Sequence, residues 1–167
     1  MPEREVIERA RRDAEEGKSP STQAGEFVRE EIEHVREGKH GARSPKEAIA
    51  IGLSKARRAG INLPPPKKGR SSQKVRRQAE RDLSKGRHRG RKTSARRSRA
   101  TSSALRKETR SSVSHSALSR QAKSSARRRG PAARRRAATA AVRTKGARGA
   151  KGRLRKQREP ASVGRRG

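Results

Sequence analysis

Four carboxylates, Glu30, Glu31, Glu33 and Glu37, surround His34. Carboxylate and imidazole groups at helical spacing are the material of divalent-metal sites. They are also the ordinary content of a solvated helix face, and the stretch is read in that way, with no metal ligand expected. His40, His88 and His115 stand in flexible or basic surroundings, without the hydroxyl and carboxylate that a nucleophilic triad requires. The segment Gly146-Ala147-Arg148-Gly149-Ala150-Lys151-Gly152 has the glycines and cations of a phosphate loop. It matches neither the Walker A pattern nor the dinucleotide fingerprint, and no strand precedes it, so it reads as a basic linker. The chain has no cysteine, which removes thiolate ligands, Cys nucleophiles and disulfides. No hydrolase or transferase constellation can be assembled from these parts, so neither an enzyme nor a cofactor is expected.

The chemistry that the composition does support is the binding of phosphate. Lys and Arg number 49 against 16 Asp and Glu, a formal net charge of +33 in 167 residues. The charge is uneven: residues 1–63 hold 13 basic and 12 acidic side chains, and residues 64–167 hold 36 and 4. The candidate nucleic-acid-binding residues are the clustered cations of the second stretch. They are Lys67, Lys68 and Arg70; Arg87, Arg89, Arg91 and Lys92; Arg96, Arg97 and Arg99; and the triplets Arg127, Arg128, Arg129 and Arg134, Arg135, Arg136. Duplex DNA carries one negative charge per ~1.7 Å of axis, and each cation that meets a phosphate releases condensed counterions, so such a chain needs no particular shape to bind. Arginine outnumbers lysine 35 to 14, which favours bidentate phosphate contacts and entry into narrow minor grooves. A GC-rich coding bias explains part of that ratio and none of the charge.

Base-specific recognition of single-stranded RNA normally stacks bases on aromatic rings. Residues 64–167 contain no Phe, Tyr or Trp, so double-stranded DNA is favoured over RNA. The run Arg87-His88-Arg89-Gly90-Arg91 faintly resembles Arg/Gly-type RNA-binding tracts.

The elements that would carry these residues are helical. Val6, Ile7, Ala10 and Ala14 predict a first helix from about Pro2 to Glu16, closed by Gly17. Ala24, Phe27, Val28, Ile32 and Val35 predict a second, from Ser19-Pro20 to Gly38. The third has Ser44 as N-cap, Pro45 at its first position and Glu47 placed to close a capping box. Its apolar residues are Ala48, Ile49, Ile51, Leu53, Ala56 and Ala59, and Gly60 suits the C-terminal cap. Ser44-Pro45-Lys46 also opens like the Ser-Pro-Lys-Lys minor-groove motif, but Glu47 in the fourth place makes capping the better account. Lys55, Arg57 and Arg58 suit the C-terminal end of the helix dipole, and a recognition helix on DNA is the weaker alternative. The fold class expected is therefore mostly α. A small three-helix module over residues 1–63 is followed by a Pro/Lys linker at 64–70 opening with Pro64-Pro65-Pro66. An Arg/Ala/Ser-rich disordered tail over 71–167 would form helix transiently or on binding.

The runs GKSPSTQAGEFV (Gly17 to Val28) and GKHGARSPKEAIAIGLSKARRAG (Gly38 to Gly60) resemble a family of small basic bacterial proteins of unknown function. The resemblance is close over roughly the first 70 residues and rests on composition beyond them. It implies a bacterial cytoplasmic setting and carries over no catalytic residue. By composition the tail is also similar to those of linker histones and bacterial histone-like proteins.

Two functions follow as expectations. The first is a nucleoid-associated, histone-like protein whose tail binds DNA while the near-neutral module self-associates or docks a protein. The alternative is an adaptor whose N-terminal helices bind a protein partner while the tail tethers it to RNA or ribosomes. No membrane partner is expected, because an interfacial helix needs large apolar residues and the tail has only scattered Leu and Val. The start, Met1-Pro2-Glu3-Arg4-Glu5, offers no apolar signal region.

Overall fold

Start and stop residues bound the first three helices, and α3 alone of them has a side-chain N-cap hydrogen bond. Helix α1 spans Arg4–Glu15 and stops short of Gly17. Helix α2 spans Pro20–Glu37, with the proline in its first turn, where a missing N–H costs nothing. It closes at Gly38 (φ 80°), where the Gly38 and Lys39 N–H groups donate to Val35 O and His34 O in the Schellman pattern. Helix α3 spans Pro45–Arg58, and the Ser44 hydroxyl accepts the Glu47 N–H at 3.3 Å. The expected reciprocal half of the box lands one residue earlier. The Glu47 carboxylate accepts the Arg43 N–H at 2.7 Å and pairs with its guanidinium at 2.8 Å.

These and the following elements come from a computed structural model that describes residues 2–87 and 94–158, the side chains of 144–158 excepted. The described residues are mostly helical and contain no strand. Beyond α3 come α4 (Gln73–Arg87), α5 (Ala95–Arg106), a 3-10 turn (Ser111–Val113) and α6 (His115–Arg158). Helix α6 is broken at Gly130 (φ 76°, ψ 166°), immediately before Pro131. The chain divides into two compact units, Met1–Gln121 and Ala122–Gly167.

The core of the first unit has two parts. In one, Phe27 and Ala24 of α2 pack with Val6 and Ala10 of α1 and Ala56 of α3, under the partly buried Ile7, Leu53, Ile61 and Leu63. In the other, Val35, Ala42 and Ala48 pack with Val113, flanked by Ile32. Most of these residues lie on the stripes expected from spacing. Ala14 and Ala59, at the last turns, are exposed instead. Asp13 is buried in α1, where Lys18 folds back onto its carboxylate. Helices α2 and α3 meet almost backbone to backbone at Gly52. A Cβ there would sit 2.7 Å from Val28 Cα and 2.9 Å from Phe27 O.

Residues beyond Pro64-Pro65-Pro66 complete this unit. Val113 is fully buried in the second part of the core. The Gly41 and Ala42 N–H groups donate to Leu105 O (2.8 Å) and Thr109 O (3.1 Å). Helix α4 lies on α3, with Ala79 and Asp82 buried. Gly86 of α4 faces the Arg57 carbonyl so closely that a Cβ would collide with it. Charge makes these attachments worthwhile: three of the four carboxylates after residue 63 are Glu80, Asp82 and Glu108, all within the first unit. In the second unit, the one acidic residue is Glu159.

Phe27 is the one aromatic residue of the chain, and it is fully buried. Phe27→Ala should cost about 3–5 kcal/mol, and Val113→Ala about 2 kcal/mol from the lost methyl groups and the space they leave. Chemical denaturation followed by circular dichroism measures both. An unchanged midpoint for Val113→Ala would show that residues 105–113 are not part of the folded unit.

Candidate nucleic-acid interface

The cations of this chain fall into those consumed by the fold and those left to solvent. The basic last turn of α3 is consumed. Arg57 is only 7% exposed. Its guanidinium donates to Leu63 O (3.1 Å) and Pro64 O (3.4 Å), tying the chain after α3 back onto the helix. Burial lowers its pKa, with partial opposition from the charge of Asp82. Lys55 lies 2.6 Å from a carboxylate oxygen of Glu31. Arg58 pairs with Asp82 at 2.8 Å. Arg57 is buried and Lys55 and Arg58 are matched by carboxylates, while Arg58 itself remains half exposed.

Asp82 is the hub of the α3–α4 contact. It is 1% exposed and accepts hydrogen bonds from the Ser54 hydroxyl (2.8 Å), Arg58 Nε (2.8 Å) and the Gln78 amide (3.0 Å). Burial acts to raise its pKa, but the three hydrogen bonds and the Arg58 charge outweigh it, and the carboxyl is held below its ordinary value. Sequence pattern alone did not single out this residue. The cue was present, since Asp82 is a carboxylate in an otherwise basic stretch and stands on the face that also carries Ala79.

The candidate phosphate-binding residues are disposed differently. Lys67, Lys68 and Arg70 follow the prolines and are exposed. Arg87, at the end of α4, is exposed, as are Arg96, Arg97 and Arg99 on α5. Arg127, Arg128 and Arg129 precede the break at Gly130, and Arg134, Arg135 and Arg136 follow Pro131, again exposed. Arg89, Arg91 and Lys92 lie outside the described residues. Among the described residues, no ion pair with an acid involves any of these candidate cations.

Helix α5 adds residues that the basic clusters alone did not point to. A shallow groove along it is lined by Ser98, Arg99, Ser102, Ser103, Arg106 and Lys107. Hydroxyl donors and cations thus recur at four-residue spacing on one helix face, and α5 buries no residue of its own. Ser and Arg together make the donor set with which proteins contact phosphate oxygens. The four-residue recurrence of Ser98, Ser102 and Arg106 was the available signal.

Residues 15–68 match a family of unknown function (DUF6496). The matched stretch runs from the end of α1 to just past the prolines, so it covers the α2–α3 pair and leaves out α4 to α6. No curated protein and no solved structure matches the chain. Among the described residues, no helix is long and apolar enough to cross a membrane.

The division of cations makes a prediction. Arg58→Gln and Asp82→Asn should each lower stability by about 1–3 kcal/mol, the usual cost of leaving a buried polar partner unsatisfied, and should leave affinity for DNA nearly unchanged. A carboxyl whose pKa is depressed in the folded state contributes stability above its unfolded pKa and loses it as pH falls through the folded one. Asp82→Asn should therefore shrink the loss of stability between neutral and acid pH. Denaturation midpoints across that range measure this. An equally steep acid loss in the variant would exclude Asp82 as a source.

Proposed function

We propose that this chain is a non-enzymatic nucleic-acid-binding protein that coats the phosphate backbone of double-stranded DNA through the cations beyond residue 64, in the manner of a nucleoid-associated, histone-like protein. One observation carries the reading: the candidate cations on the described stretches are exposed and unpaired with acid, while Lys55, Arg57 and Arg58 at the end of α3 are engaged by carboxylates or backbone carbonyls. A basic residue whose charge is already matched gains little from a phosphate. An unmatched one releases counterions from DNA on contact.

The magnitude is adequate. The stretch Pro131–Arg158 contains 11 Lys and Arg in 28 residues, which at 1.5 Å of helix per residue is roughly one cation per 4 Å. Phosphates follow one another every ~3.4 Å along a strand. The cations on whichever side of such a helix meets the duplex can therefore find phosphates as it follows the backbone. The triplets Arg127–Arg129 and Arg134–Arg136 spread charge around the helix instead of along one face, which suits non-specific clasping and gives no array for base edges. We expect α5 and the stretch beyond Gln121 to lose helix in the absence of a polyanion and to regain it on DNA, and the chain to reside on the chromosome in a bacterial cytoplasm. Residues 1–63, with 13 basic and 12 acidic side chains, have no electrostatic reason to contact DNA, and the surface that α4 and residues 105–113 leave uncovered is available for self-association or a protein partner.

If about ten phosphates are engaged, the slope of log affinity against log salt should approach −9. Changing Arg127, Arg128, Arg129, Arg134, Arg135 and Arg136 to Gln should make the slope shallower by up to about 5, with the denaturation midpoint of the first unit unchanged. Salt titrations on random-sequence duplexes decide this. A slope near zero for the parent chain would overturn the reading, and recovery of ribosomal RNA instead of chromosomal DNA after crosslinking in cells would transfer it to the tethered adaptor.

A further inference from the structure

Of the carboxylates around His34, Glu33 and Glu37 are solvated as their spacing suggests, but Glu30 and Glu31 are not. Glu30 is 2% exposed and Glu31 is fully buried. Glu30 accepts the Glu3 N–H through Oε1 at 2.7 Å. Glu31 Oε2 is paired with Lys55 Nζ at 2.6 Å, whereas Oε1 accepts no hydrogen bond among the described residues and faces His40 Nε2 at 3.3 Å.

The geometry at His40 is the informative part. Its Nδ1 lies 3.1 Å from the Gly41 carbonyl oxygen, which can only accept, so Nδ1 carries the hydrogen. In the neutral ring Nε2 then presents a lone pair, and it presents it to a buried carboxylate oxygen. Two acceptors face each other across 3.3 Å. A proton on Nε2 or a metal cation held by both atoms resolves the conflict. A backbone carbonyl on the far ring nitrogen is also the usual outer partner of a metal-bound histidine, fixing both tautomer and ring orientation.

His34 completes the set. Glu31, His34 and His40 each offer one donor atom, and these atoms lie within 4.8 Å of one another. Metal–nitrogen and metal–oxygen bonds of ~2.0–2.2 Å call for donors slightly closer, a gap that side-chain rotation closes. The His34 ring is oriented from outside by Glu3, whose Oε1 is 3.1 Å from its Nε2. Carboxylate-to-histidine support of this kind is again a recurrent outer-shell arrangement. The local charge agrees. Three carboxylates, Glu3, Glu30 and Glu31, face two ammonium groups, Lys39 and Lys55.

We propose that Glu31, His34 and His40 form a binding site for a divalent transition cation of the zinc type. Two imidazoles and one carboxylate select the zinc-like ions over Mg²⁺ and Ca²⁺, which prefer all-oxygen sets. Glu31 ligates through Oε1 and keeps Lys55 on Oε2. The two ligands on α2 are three residues apart, and the third arrives through the left-handed turn at Gly38, which brings His40 back over the helix end. The site is structural. His40 adjoins Gly41 and Ala42, whose N–H groups hold Leu105 and Thr109, so an ion there would pin the loop on which residues 105–113 are seated.

The test uses the full chain, stripped of metal, with Zn²⁺ titrated against a chromophoric chelator. One equivalent should bind. His34→Ala/His40→Ala should weaken binding at least about 10–100-fold, the scale seen for losing even an outer partner, while the control pair His88→Ala/His115→Ala should leave it unchanged. A millimolar excess of Mg²⁺ should not displace the ion. No stoichiometric binding, or equal loss in both pairs, would falsify the site. A readout independent of variants is the proton spectrum of the Co²⁺-loaded chain. It should contain two paramagnetically shifted imidazole N–H signals, and fewer than two overturns the ligand set even if the double variant fails to fold.

Discussion

Sixteen carboxylates cannot neutralise 49 cations, and the placement of those few carboxylates decides which parts of this chain can pack. Fifteen of them lie at or before Glu108. Within that stretch even surfaces poor in apolar residues find partners. Helix α4 buries only Ala79 and Asp82, too little apolar area to hold a helix by itself at about 25 cal/mol per Å². The Asp82 hydrogen bonds to Ser54, Arg58 and Gln78 supply direction where apolar burial is thin. Buried ion pairs seldom add much net stability, because desolvation offsets most of the attraction. Their contribution here is to choose which face of α4 meets α3.

The parts of this fold legible in the sequence are those governed by local chemistry. Ser44, Pro45, Gly38 and Gly60 mark helix ends because capping and the left-handed conformation depend on a residue and its immediate neighbours. The apolar stripe of α2 is readable for the same reason. Val113 was not readable. It is a single valine between serines, far from the helices that bury it, and its role depends on a tertiary contact 65 residues or more from Ala48 and Val35. Asp82 and Ala79 were hidden by the same low-complexity background. The candidate site divides along this line too: exposed arginine clusters are visible as composition, whereas the Ser98–Ser102–Arg106 face of α5 needs the helix to be known first.

Residue type does not separate structural from binding cations in such a chain. Arg57, Arg58 and Arg96, Arg97 are identical dipeptides in basic surroundings. The first pair is tied to Leu63, Pro64 and Asp82, and the second is exposed on a helix that buries nothing. The difference lies in what opposes each pair across the fold. A carboxylate or backbone carbonyl in a site with restricted water captures an arginine through its planar fork of donors. An arginine on a helix lacking such a neighbour keeps its full charge for an external anion.

That distinction bears on how binding and folding are linked. Towards the end of the first unit, apolar support fades: Phe27 and Val35 anchor α2, Ala79 alone supplies apolar burial on α4, and α5 has no buried residue. A helix tied to the fold only near its end, where Leu105 O accepts the Gly41 N–H, rests mainly on propensity and its own hydrogen bonds, which are marginal for 12 residues in water. Alanine and arginine favour helix, while closely spaced like charges oppose it. Phosphates remove the opposing term and leave the propensity. A polyanion that binds the helical form more tightly than the extended one stabilises it by mass action, so on α5 the order of the backbone and the occupancy of its cations should rise together.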